Sequence, residues 1–348
     1  MEFRVDAALR PEIGHWSNYP MTVARRLARN FGPLARGADV AFYSTLPKAA
    51  GLSTSSALIT AVFLVLAEVN ELAAAPAFTA AIPDPFHLAG YLGCIENGSA
   101  FGALAGDQGV GTAGGSEDHT AIVLSQAGQL TWYRYHPVTP EGRIDLNPAY
   151  VFVVAASGIA AAKTGGAREQ YNRASALVAE LVALGSGRPE LQVRRGPLGT
   201  LAEIIDASPD AIDYLRSRAS DGGCKRLEHF LVEDRLVLPA AVEALAAARL
   251  TEFGVLVDRS QRAAEDLLGN QVPETIALAR LAREGGAHAA SAFGAGFGGS
   301  VWALVDTSRA EEFAQQWLSA YGKHHPDAAV RATAFVTRPG QGARGIAD

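Results

Sequence analysis

Residues 47–57 read Pro-Lys-Ala-Ala-Gly-Leu-Ser-Thr-Ser-Ser-Ala and lead directly into an apolar stretch that ends near Leu66. This composition predicts a turn of small residues followed by a buried helix. The first turn of a helix leaves backbone N–H groups unpaired, and the aligned peptide dipoles place partial positive charge there. Because small residues let an anion approach the backbone closely, the stretch predicts a phosphate-binding helix N-terminus.

The hydroxyl residues of this stretch have a simpler use. Ser53, Thr54 or Ser55 would serve as an N-cap, which is the ordinary role of a hydroxyl side chain before a helix. The run of hydroxyl residues from Ser53 to Ser56 exceeds what one cap needs. We therefore favour phosphate binding, provided that a second element of the site occurs elsewhere in the chain.

A second run of small residues lies near the other end of the chain. Residues 291–300 read Ser-Ala-Phe-Gly-Ala-Gly-Phe-Gly-Gly-Ser and precede the apolar run 301–305. Glycines also mark tight turns, so this pattern alone is weak. Neither run is a Walker A loop, and glycines that lead into a strand do not match a Rossmann fingerprint.

In this order, the two runs resemble the second and third motifs of the GHMP kinases, which include galactokinase, homoserine kinase, mevalonate kinase and phosphomevalonate kinase. Pro47–Ser56 is similar to Pro-x3-Gly-Leu-Ser-Ser-Ser-Ala, with Thr54 in place of one serine. Phe293–Gly299 is similar to Thr-Gly-Ala-Gly-Phe-Gly-Gly. Residues 169–173, Glu-Gln-Tyr-Asn-Arg, resemble the Tyr-Asn-x-Arg segment of galactokinases, the members that this chain resembles most.

The resemblance implies an α+β fold in two parts, the first like ribosomal protein S5 domain 2 and the second ferredoxin-like. Residues 1–148 would form the N-terminal ATP-binding domain and residues 149–348 the C-terminal domain. Local patterns predict strands at 40–44, 130–135, 150–156 and 301–305, and helices at 55–72, 86–97 and 310–321. Residues 98–115 are predicted to form a glycine-rich loop, and residues 339–348 a loosely ordered tail.

ATP and Mg²⁺ are the cofactors that the resemblance implies. It assigns nucleotide contacts to Pro47, Gly51, Leu52, Ser53, Thr54, Ser55, Ser56, Gly294, Gly296 and Gly298. Ser55 and Glu96 would ligate the ion, and oxygen ligands of this kind suit Mg²⁺. Taken alone, a glutamate near a helix end is more often a solvated surface residue.

Two aspartates compete for the role of general base, which would accept the proton of the acceptor hydroxyl. Asp107 keeps the Asp-Gln pair of galactokinases. Asp118 precedes residues 120–135, which are similar to the helix start and strand that follow the base in the family. We favour Asp118 because this downstream register is preserved over many residues. For Asp107, which lies between glycines, an Asx turn is the better interpretation.

The sugar contacts implied by the resemblance are Gly115, Ser116, Asp118 and Tyr171, although a tyrosine packed beneath the site is nearly as good an interpretation of Tyr171. His119 stands where the family has glutamine, and we assign it no role. Phe293 and Ser291 replace a threonine and an arginine of the family. These replacements remove a hydroxyl and a charge near the phosphates, so activity itself is open to test.

Galactokinases begin with a sugar-binding segment, Pro-Gly-Arg-x-Asn-x-Ile-Gly-Glu-His-Thr-Asp-Tyr, and nothing similar occurs in this sequence. The chain begins near the family's later Trp-x-x-Tyr segment, which corresponds to Trp16–Tyr19. Either the true start lies upstream of Met1 or this lineage has lost part of the domain, which would leave a sheet edge to be covered. The identity of the acceptor sugar therefore stays open.

Composition describes an ordinary globular chain, with 348 residues, 49% hydrophobic and 19% charged. The net charge of -6 offers no basic surface for nucleic acid. The most apolar window, residues 57–67, is too short to span a bilayer, and the N-terminus is unlike a signal peptide. The only cysteines, Cys94 and Cys224, favour a reducing compartment. We predict a cytoplasmic protein without nucleic-acid or membrane partners, and the oligomeric state is left open.

Three functions are compatible with the sequence. The first is an ATP-dependent sugar kinase that phosphorylates the anomeric hydroxyl of galactose or a related sugar. The second is a kinase-fold sensor that binds sugar and nucleotide without turnover, which the altered third motif and absent first motif favour. The third is a GHMP kinase for another small acceptor, such as mevalonate or homoserine. We favour the first because the serines, Glu96 and Asp118 are retained.

Overall fold

A computed structural model of the chain describes residues 1–12, 14–161, 166–188, 199–294 and 296–345. They divide into two compact units. Unit 1 comprises Met1–Asn147 and the C-terminal segment that starts at Arg338, whereas unit 2 begins at Pro148 and ends at Thr337. Helices and strands occur in both units, as the predicted α+β fold requires.

Unit 1 is built on helices that surround one apolar core. The helices are Asn18–Phe31 (α1), Thr54–Val69 (α2), Pro76–Ala81 (α3), Pro85–Asn97 (α4) and Glu117–Leu124 (α5), with a 3-10 turn at Leu72–Ala74. An antiparallel hairpin follows, formed by Gln129–Tyr135 (β1) and Val138–Asp145 (β2). The core is formed mainly by side chains of α1, α2 and α4, including Leu27, Ile59, Phe63, Tyr91 and Leu92.

The helices that carry the site residues begin for identifiable reasons. Helix α2 is apolar nearly all round and buries Ile59 and Phe63, so packing holds it in place. Helix α4 begins with Pro85, whose fixed φ suits a first helical position. Its N-cap is Asp84, whose side chain accepts a hydrogen bond from the His87 backbone N–H at 2.9 Å.

The strand predicted at Val40–Ser44 is wrong. These residues are irregular and exposed, and no described strand pairs with them. A strand needs a neighbouring strand to receive its backbone hydrogen bonds, and β-branched and aromatic residues alone do not supply one. Residues 73–85, for which the local patterns predict neither a helix nor a strand, contain helix α3, where Pro76 provides the first helical position.

Unit 2 contains a four-stranded antiparallel sheet in the order β4-β5-β3-β6. The strands are Tyr150–Ala156 (β3), Ala289–Ala292 (β4), Ser300–Asp306 (β5) and Thr333–Thr337 (β6). Strands β3 and β5 lie at the predicted positions. Both are apolar runs, and both lie at the centre of the sheet, where side chains on each are buried.

Helices make up most of the remainder of unit 2. They are Gly166–Ser186 (α6), Leu201–Ala207 (α7), Ala211–Arg218 (α8), Asp221–Leu231 (α9), Leu238–Ala246 (α10), Leu250–Ala263 (α11), Pro273–Glu284 (α12), Ala310–His324 (α13) and Pro326–Ala329 (α14). Helices α12 and α13 pack on the sheet around Trp317 and Tyr321. Across the ranges that the structure describes, no helix combines the length and apolar character needed to cross a bilayer.

The C-terminal tail belongs to unit 1, although the prediction assigned residues 149–348 to one C-terminal domain. Gly342 N–H donates to the Ser125 carbonyl at 2.8 Å, and Ala343 N–H donates to the Ile122 carbonyl at 2.7 Å. The Pro339 carbonyl accepts from Gly128 N–H at 2.9 Å. These backbone bonds hold the described part of the tail against the end of α5.

The glycine-rich loop at 98–115 is anchored to α1 by a buried ion pair. Arg25 Nε lies 2.9 Å from Asp107 Oδ2, and Arg26 Nη1 lies 3.8 Å from Asp107 Oδ1. The Asp107 side chain is fully buried and also accepts from Gly109 N–H at 2.8 Å, which forms the predicted Asx turn. Two guanidinium groups thus share one carboxylate, so the loop conformation depends on the charge of Asp107.

Replacing Asp107 with Asn is expected to destabilise the protein by about 3–5 kcal/mol, because it leaves buried arginine charges without a compensating carboxylate. Urea denaturation measures this free energy of unfolding. The matched control is Glu71→Gln in the same unit, which removes the partner of Arg36 from an ion pair that is exposed on both sides. That change should cost at most about 1 kcal/mol. Equal effects of the two variants would contradict the anchoring role.

Candidate functional site

The loop that precedes α2 has an unusual backbone. Ala49, Gly51 and Ser53 have φ angles of 52°, 69° and 54° respectively. Left-handed φ is uncommon for residues other than glycine, and it persists where the surroundings fix it, often at binding sites. Ser53 occupies the N-cap position of α2, yet its side chain makes no capping hydrogen bond. The simple N-cap interpretation of Ser53 is therefore not supported.

This loop presents the start of α2 to solvent. Gly51 and Thr54 are exposed, and Leu52, Ser53 and Ser55 are half-buried. A helix N-terminus preceded by small residues is suited to an anion, since backbone N–H groups and the helix dipole act together. The geometry of loop 47–53 and the first turn of α2 is therefore compatible with phosphate binding.

Glu96 of α4 accepts hydrogen bonds from two serines at the start of α2. It lies in the last turn of α4 and is only 6% exposed. Its Oε1 accepts from Ser55 Oγ at 3.2 Å, and its Oε2 accepts from Ser56 Oγ at 2.8 Å. Glu96 is thus a buried, hydrogen-bonded carboxylate at the N-terminus of α2. The alternative, a solvated surface glutamate, is wrong.

Ser56 faces inward, which limits its predicted nucleotide contact. Its side chain is 1% exposed, and its hydroxyl donates to Glu96. A contact with a nucleotide through this hydroxyl is therefore not available in this arrangement. Ser55, one residue earlier on α2, is half-buried and keeps its hydroxyl on the outer side of the same carboxylate.

Asp118 lies in the first turn of α5, close to this carboxylate. Its Oδ2 lies 3.4 Å from Ser56 Oγ, a longer distance than the 2.8 Å from that hydroxyl to Glu96. Helix α5 reaches this position because α4 has a glycine at the point of contact. A Cβ on Gly93 would lie 2.9 Å from Ser116 Cα, so a larger residue would push the two helices apart.

The structure separates the two aspartates that the sequence left in competition. Asp107 is fully buried in its ion pair with Arg25 and Arg26, and it holds a loop. Asp118 is half-buried beside the Ser55–Glu96 pair. Only Asp118 is placed to meet a reacting group near the start of α2.

The other residues predicted to contact the sugar are divided between the units. Gly115 is exposed before α5, whereas Ser116 is buried and its hydroxyl lies 3.5 Å from the Tyr135 carbonyl oxygen. Tyr171 lies on α6 of unit 2 and is half-buried. Sugar contacts by these residues stay a prediction.

Tyr19 is a neighbour of the site that sequence reasoning did not assign. It lies in the first turn of α1, within the Trp16–Tyr19 segment. Burial raises the pKa of the Tyr19 phenol, and the nearby negative charge of Glu96 raises it further. The phenol therefore lies close enough to Glu96 to sense its charge, and α1 contributes to the same site as α2, α4 and α5.

A groove of about 760 Å³ runs beside α2 in unit 1, and sequence reasoning also missed it. Leu58, Val62 and Leu66 line it from α2. Trp16 and Phe42 also line the groove, and they are 48% and 59% exposed. The centroids of these two rings are 6.2 Å apart. Exposed aromatic side chains around a groove commonly mark a ligand site.

The glycine-rich run of unit 2 forms a tight loop between β4 and β5. Gly294, Gly296 and Gly298 all have positive φ, and so does Phe297. At Gly296 a Cβ would lie 2.0 Å from the Asn270 carbonyl oxygen, so only glycine fits. This loop has the dense left-handed backbone that anion-binding loops use.

Ser291, which stands where galactokinases have arginine, has a structural partner. Its hydroxyl donates to Gln261 Oε1 at 2.9 Å, and the same oxygen accepts from Ala292 N–H. The residue therefore ties β4 to α11.

The donor set at the start of α2 fits Mg²⁺. Ser55 Oγ and Glu96 Oε1 are hard oxygens that lie 3.2 Å apart, on the outer side of the buried network. Mg²⁺ is commonly bound by one or two carboxylates while it keeps several waters and contacts substrate phosphates. No group of three or more His, Cys, Asp and Glu side chains suited to a metal occurs among the described residues. An ion here would therefore rely on few protein ligands.

Family models match both parts of the chain. The GHMP kinases N terminal domain matches residues 18–82, which include the loop before α2, and the GHMP kinases C terminal model matches residues 241–324, which include the glycine loop. A galactokinase of Chloroflexus aggregans is 27% identical over 336 residues, covering 92% of this chain and 74% of that protein. A galacturonokinase of Arabidopsis thaliana is 29% identical over 283 residues, covering 80% and 59%.

The fold is shared with a solved galactokinase. The structure of Lactococcus lactis galactokinase complexed with galactose matches 97% of this chain and 78% of its own, with a TM-score of 0.71 and 22% sequence identity. Nearly the whole chain therefore follows the fold of that enzyme, which confirms the predicted two-domain α+β architecture. One chain thus carries matches to both GHMP kinase domain models, is similar to galactokinases over most of its length and has the fold of a solved galactokinase.

Proposed function

We propose that this protein is an ATP-dependent sugar kinase, which transfers the γ-phosphoryl group of ATP to a sugar hydroxyl. The observation that carries the proposal is the convergence of Ser55, Glu96 and Asp118 at the start of α2. Phosphoryl transfer needs positioning and neutralisation of charge more than covalent chemistry by the protein. The site would combine a helix N-terminus that binds an anion, oxygen ligands for a metal ion and a carboxylate beside them.

Unit 1 is proposed to bind the nucleotide. The loop at 47–53 and the first turn of α2 would bind the phosphates, and the groove that begins at Leu58 would take the base. Trp16 and Phe42 line that groove, and flat aromatic side chains suit the face of a purine. Gly294, Gly296 and Gly298 of unit 2 are proposed as further phosphate contacts, since their positive φ angles are typical of anion-binding loops.

Ser55 and Glu96 would hold Mg²⁺, which when bound would neutralise charge on the polyphosphate. Ser56 has a supporting role, because its hydroxyl fixes the inner oxygen of Glu96. Asp118 would accept the proton of the sugar hydroxyl while the oxygen of that hydroxyl attacks the γ-phosphorus. The bond from that phosphorus to the bridging oxygen then breaks, and ADP leaves.

The acceptor is proposed to be galactose or a related sugar, phosphorylated at the anomeric C1 hydroxyl. Support comes from the relatives, which include both galactokinases and a galacturonokinase. Gly115, Ser116 and Tyr171 are proposed to contact this sugar. The two kinds of relative differ in the sugar that their names specify, so a neutral hexose and a uronic acid both belong in the test.

The direct test is ADP release from ATP and Mg²⁺ in the presence of single sugars, including galactose, galacturonate and arabinose. Release that depends on one sugar, with a sugar phosphate as the second product, supports the proposal. Binding of nucleotide and sugar by calorimetry without ADP release would instead select a non-catalytic sensor. Turnover with mevalonate or homoserine, and with no sugar, would select another GHMP acceptor.

Replacing Asp118 with Asn is expected to lower kcat by about 10²–10⁴-fold, which is the usual contribution of a general base. The dissociation constant for ADP should stay unchanged, because the loop before α2 is intact. The coupled assay for ADP and a calorimetric titration with ADP measure the two quantities. Full activity of the Asn variant would refute the assignment of the base.

Replacing Trp16 with Ala is expected to raise KM for ATP about 10-fold, since aromatic stacking on a base contributes roughly 1–3 kcal/mol. The KM for the sugar should not change. Initial rates at varied ATP and varied sugar measure both constants. The matched control is Trp132→Phe on strand β1, which is not among the residues lining the groove. An unchanged KM for ATP in the Trp16 variant would show that the base does not bind in this groove.

A further inference from the structure

His119 is a fully buried histidine next to the proposed base, and nothing in the reaction described above uses it. Its side chain is 0% exposed. Asp118 and His119 are consecutive on α5, so their side chains project about 100° apart around the helix. Asp118 is half-buried, whereas the His119 ring points into the interior of unit 1.

The contacts of the His119 ring link the three helices of the site. Nε2 lies 2.8 Å from Glu96 Oε2 on α4, and Nδ1 lies 3.4 Å from Thr60 Oγ1 on α2. An ionised carboxylate can only accept hydrogen bonds, so Nε2–H is the donor to Glu96. Through one ring, α5 is joined to the residue proposed to ligate the metal ion.

The two oxygens of Glu96 are held differently. Oε2 accepts from His119 and from Ser56, whose side chain is 1% exposed. Oε1 accepts a longer 3.2 Å bond from Ser55, which is half-buried. Two buried donors thus hold the inner oxygen, and the outer oxygen lies beside the proposed second ligand.

We propose that His119 is a positioning residue that fixes the rotation of the Glu96 carboxylate, so that Oε1 faces the metal ion that binds with the nucleotide. Partners that orient a ligating carboxylate commonly change metal affinity or activity by about 10–100-fold when they are removed. The inference rests on the proposed function, because it takes nucleotide and Mg²⁺ to bind at the start of α2.

The role can be separated from ordinary core packing by choice of substitution. His119→Leu fills the space without a donor. His119→Gln carries an amide N–H at nearly the distance of Nε2, so it should restore the bond to Glu96. Thr60→Val removes the other ring contact, together with the 2.8 Å hydrogen bond from Thr60 Oγ1 to the Ser56 carbonyl, and keeps every side chain that donates to Glu96. A purely structural effect would appear in the Thr60 variant, and a positioning effect would not.

Titration calorimetry with the full chain measures the dissociation constant of ADP in EDTA and in Mg²⁺. The value in EDTA divided by the value in Mg²⁺ is the gain in ADP affinity that the metal ion provides. His119→Leu should reduce the gain in ADP affinity from Mg²⁺ about 10-fold, with the affinity in EDTA unchanged. His119→Gln and Thr60→Val should keep the gain. If His119→Leu does not fold, His119→Asn replaces it, because that shorter amide cannot reach Glu96.

The outcomes separate a failure of the proposed function from a failure of the positioning role of His119. A wild-type protein that binds ADP without any effect of Mg²⁺ would overturn the proposed function and this inference with it. A wild-type protein with a clear Mg²⁺ effect that His119→Leu, or His119→Asn in its place, retains in full would overturn the inference alone. An equal loss in Thr60→Val would also overturn it, because general loosening of the core would then explain the result.

Discussion

The buried carboxylate of Glu96 is the interaction on which the site of unit 1 depends. Burying a charged group is costly unless hydrogen bonds replace its hydration. Here Ser55 and Ser56 from α2 and His119 from α5 supply those bonds to a residue of α4. The same contacts that satisfy the carboxylate therefore bring three helix segments together and fix where an oxygen ligand is presented.

Two further constraints keep this arrangement in place. Gly93 lets α5 lie directly against α4, which brings Asp118 to the start of α2. The ion pair of Asp107 with Arg25 and Arg26 fastens the long loop that connects the two helices. The two aspartates of this region thus have different tasks. Asp107 compensates buried positive charge, and Asp118 is proposed to act on a bound hydroxyl.

Sequence reasoning succeeded where a local pattern was sufficient. The apolar runs of α2, β3 and β5 identified those elements, because burial on nearly every side leaves a continuous hydrophobic signal. The glycine and hydroxyl run at 47–57 indicated a turn that leads into a helix, and the structure has both, whereas anion binding there stays a prediction. The proposed role of Glu96 came from family resemblance, since nothing in its own neighbourhood in the sequence marks it as buried.

The remaining features depend on contacts between distant parts of the chain. Val40–Ser44 has strand-forming residues, but a strand also requires a partner, which local sequence does not specify. His119 acquires its partner 23 residues earlier, so no spacing rule could assign it. The tail from Arg338 joins unit 1 through backbone bonds to residues 122–128, which carry no side-chain signal.

The central claim is that the Glu96 carboxylate holds the metal ion that accompanies the nucleotide. It is tested most directly with Glu96→Gln, which is nearly isosteric and removes the charge. Calorimetric titration with ADP, in Mg²⁺ and in EDTA, should show that this variant binds metal-free ADP as the wild type does. The account predicts that the added affinity due to Mg²⁺ is lost. A Gln variant in which Mg²⁺ strengthens ADP binding as much as in the wild type would contradict it.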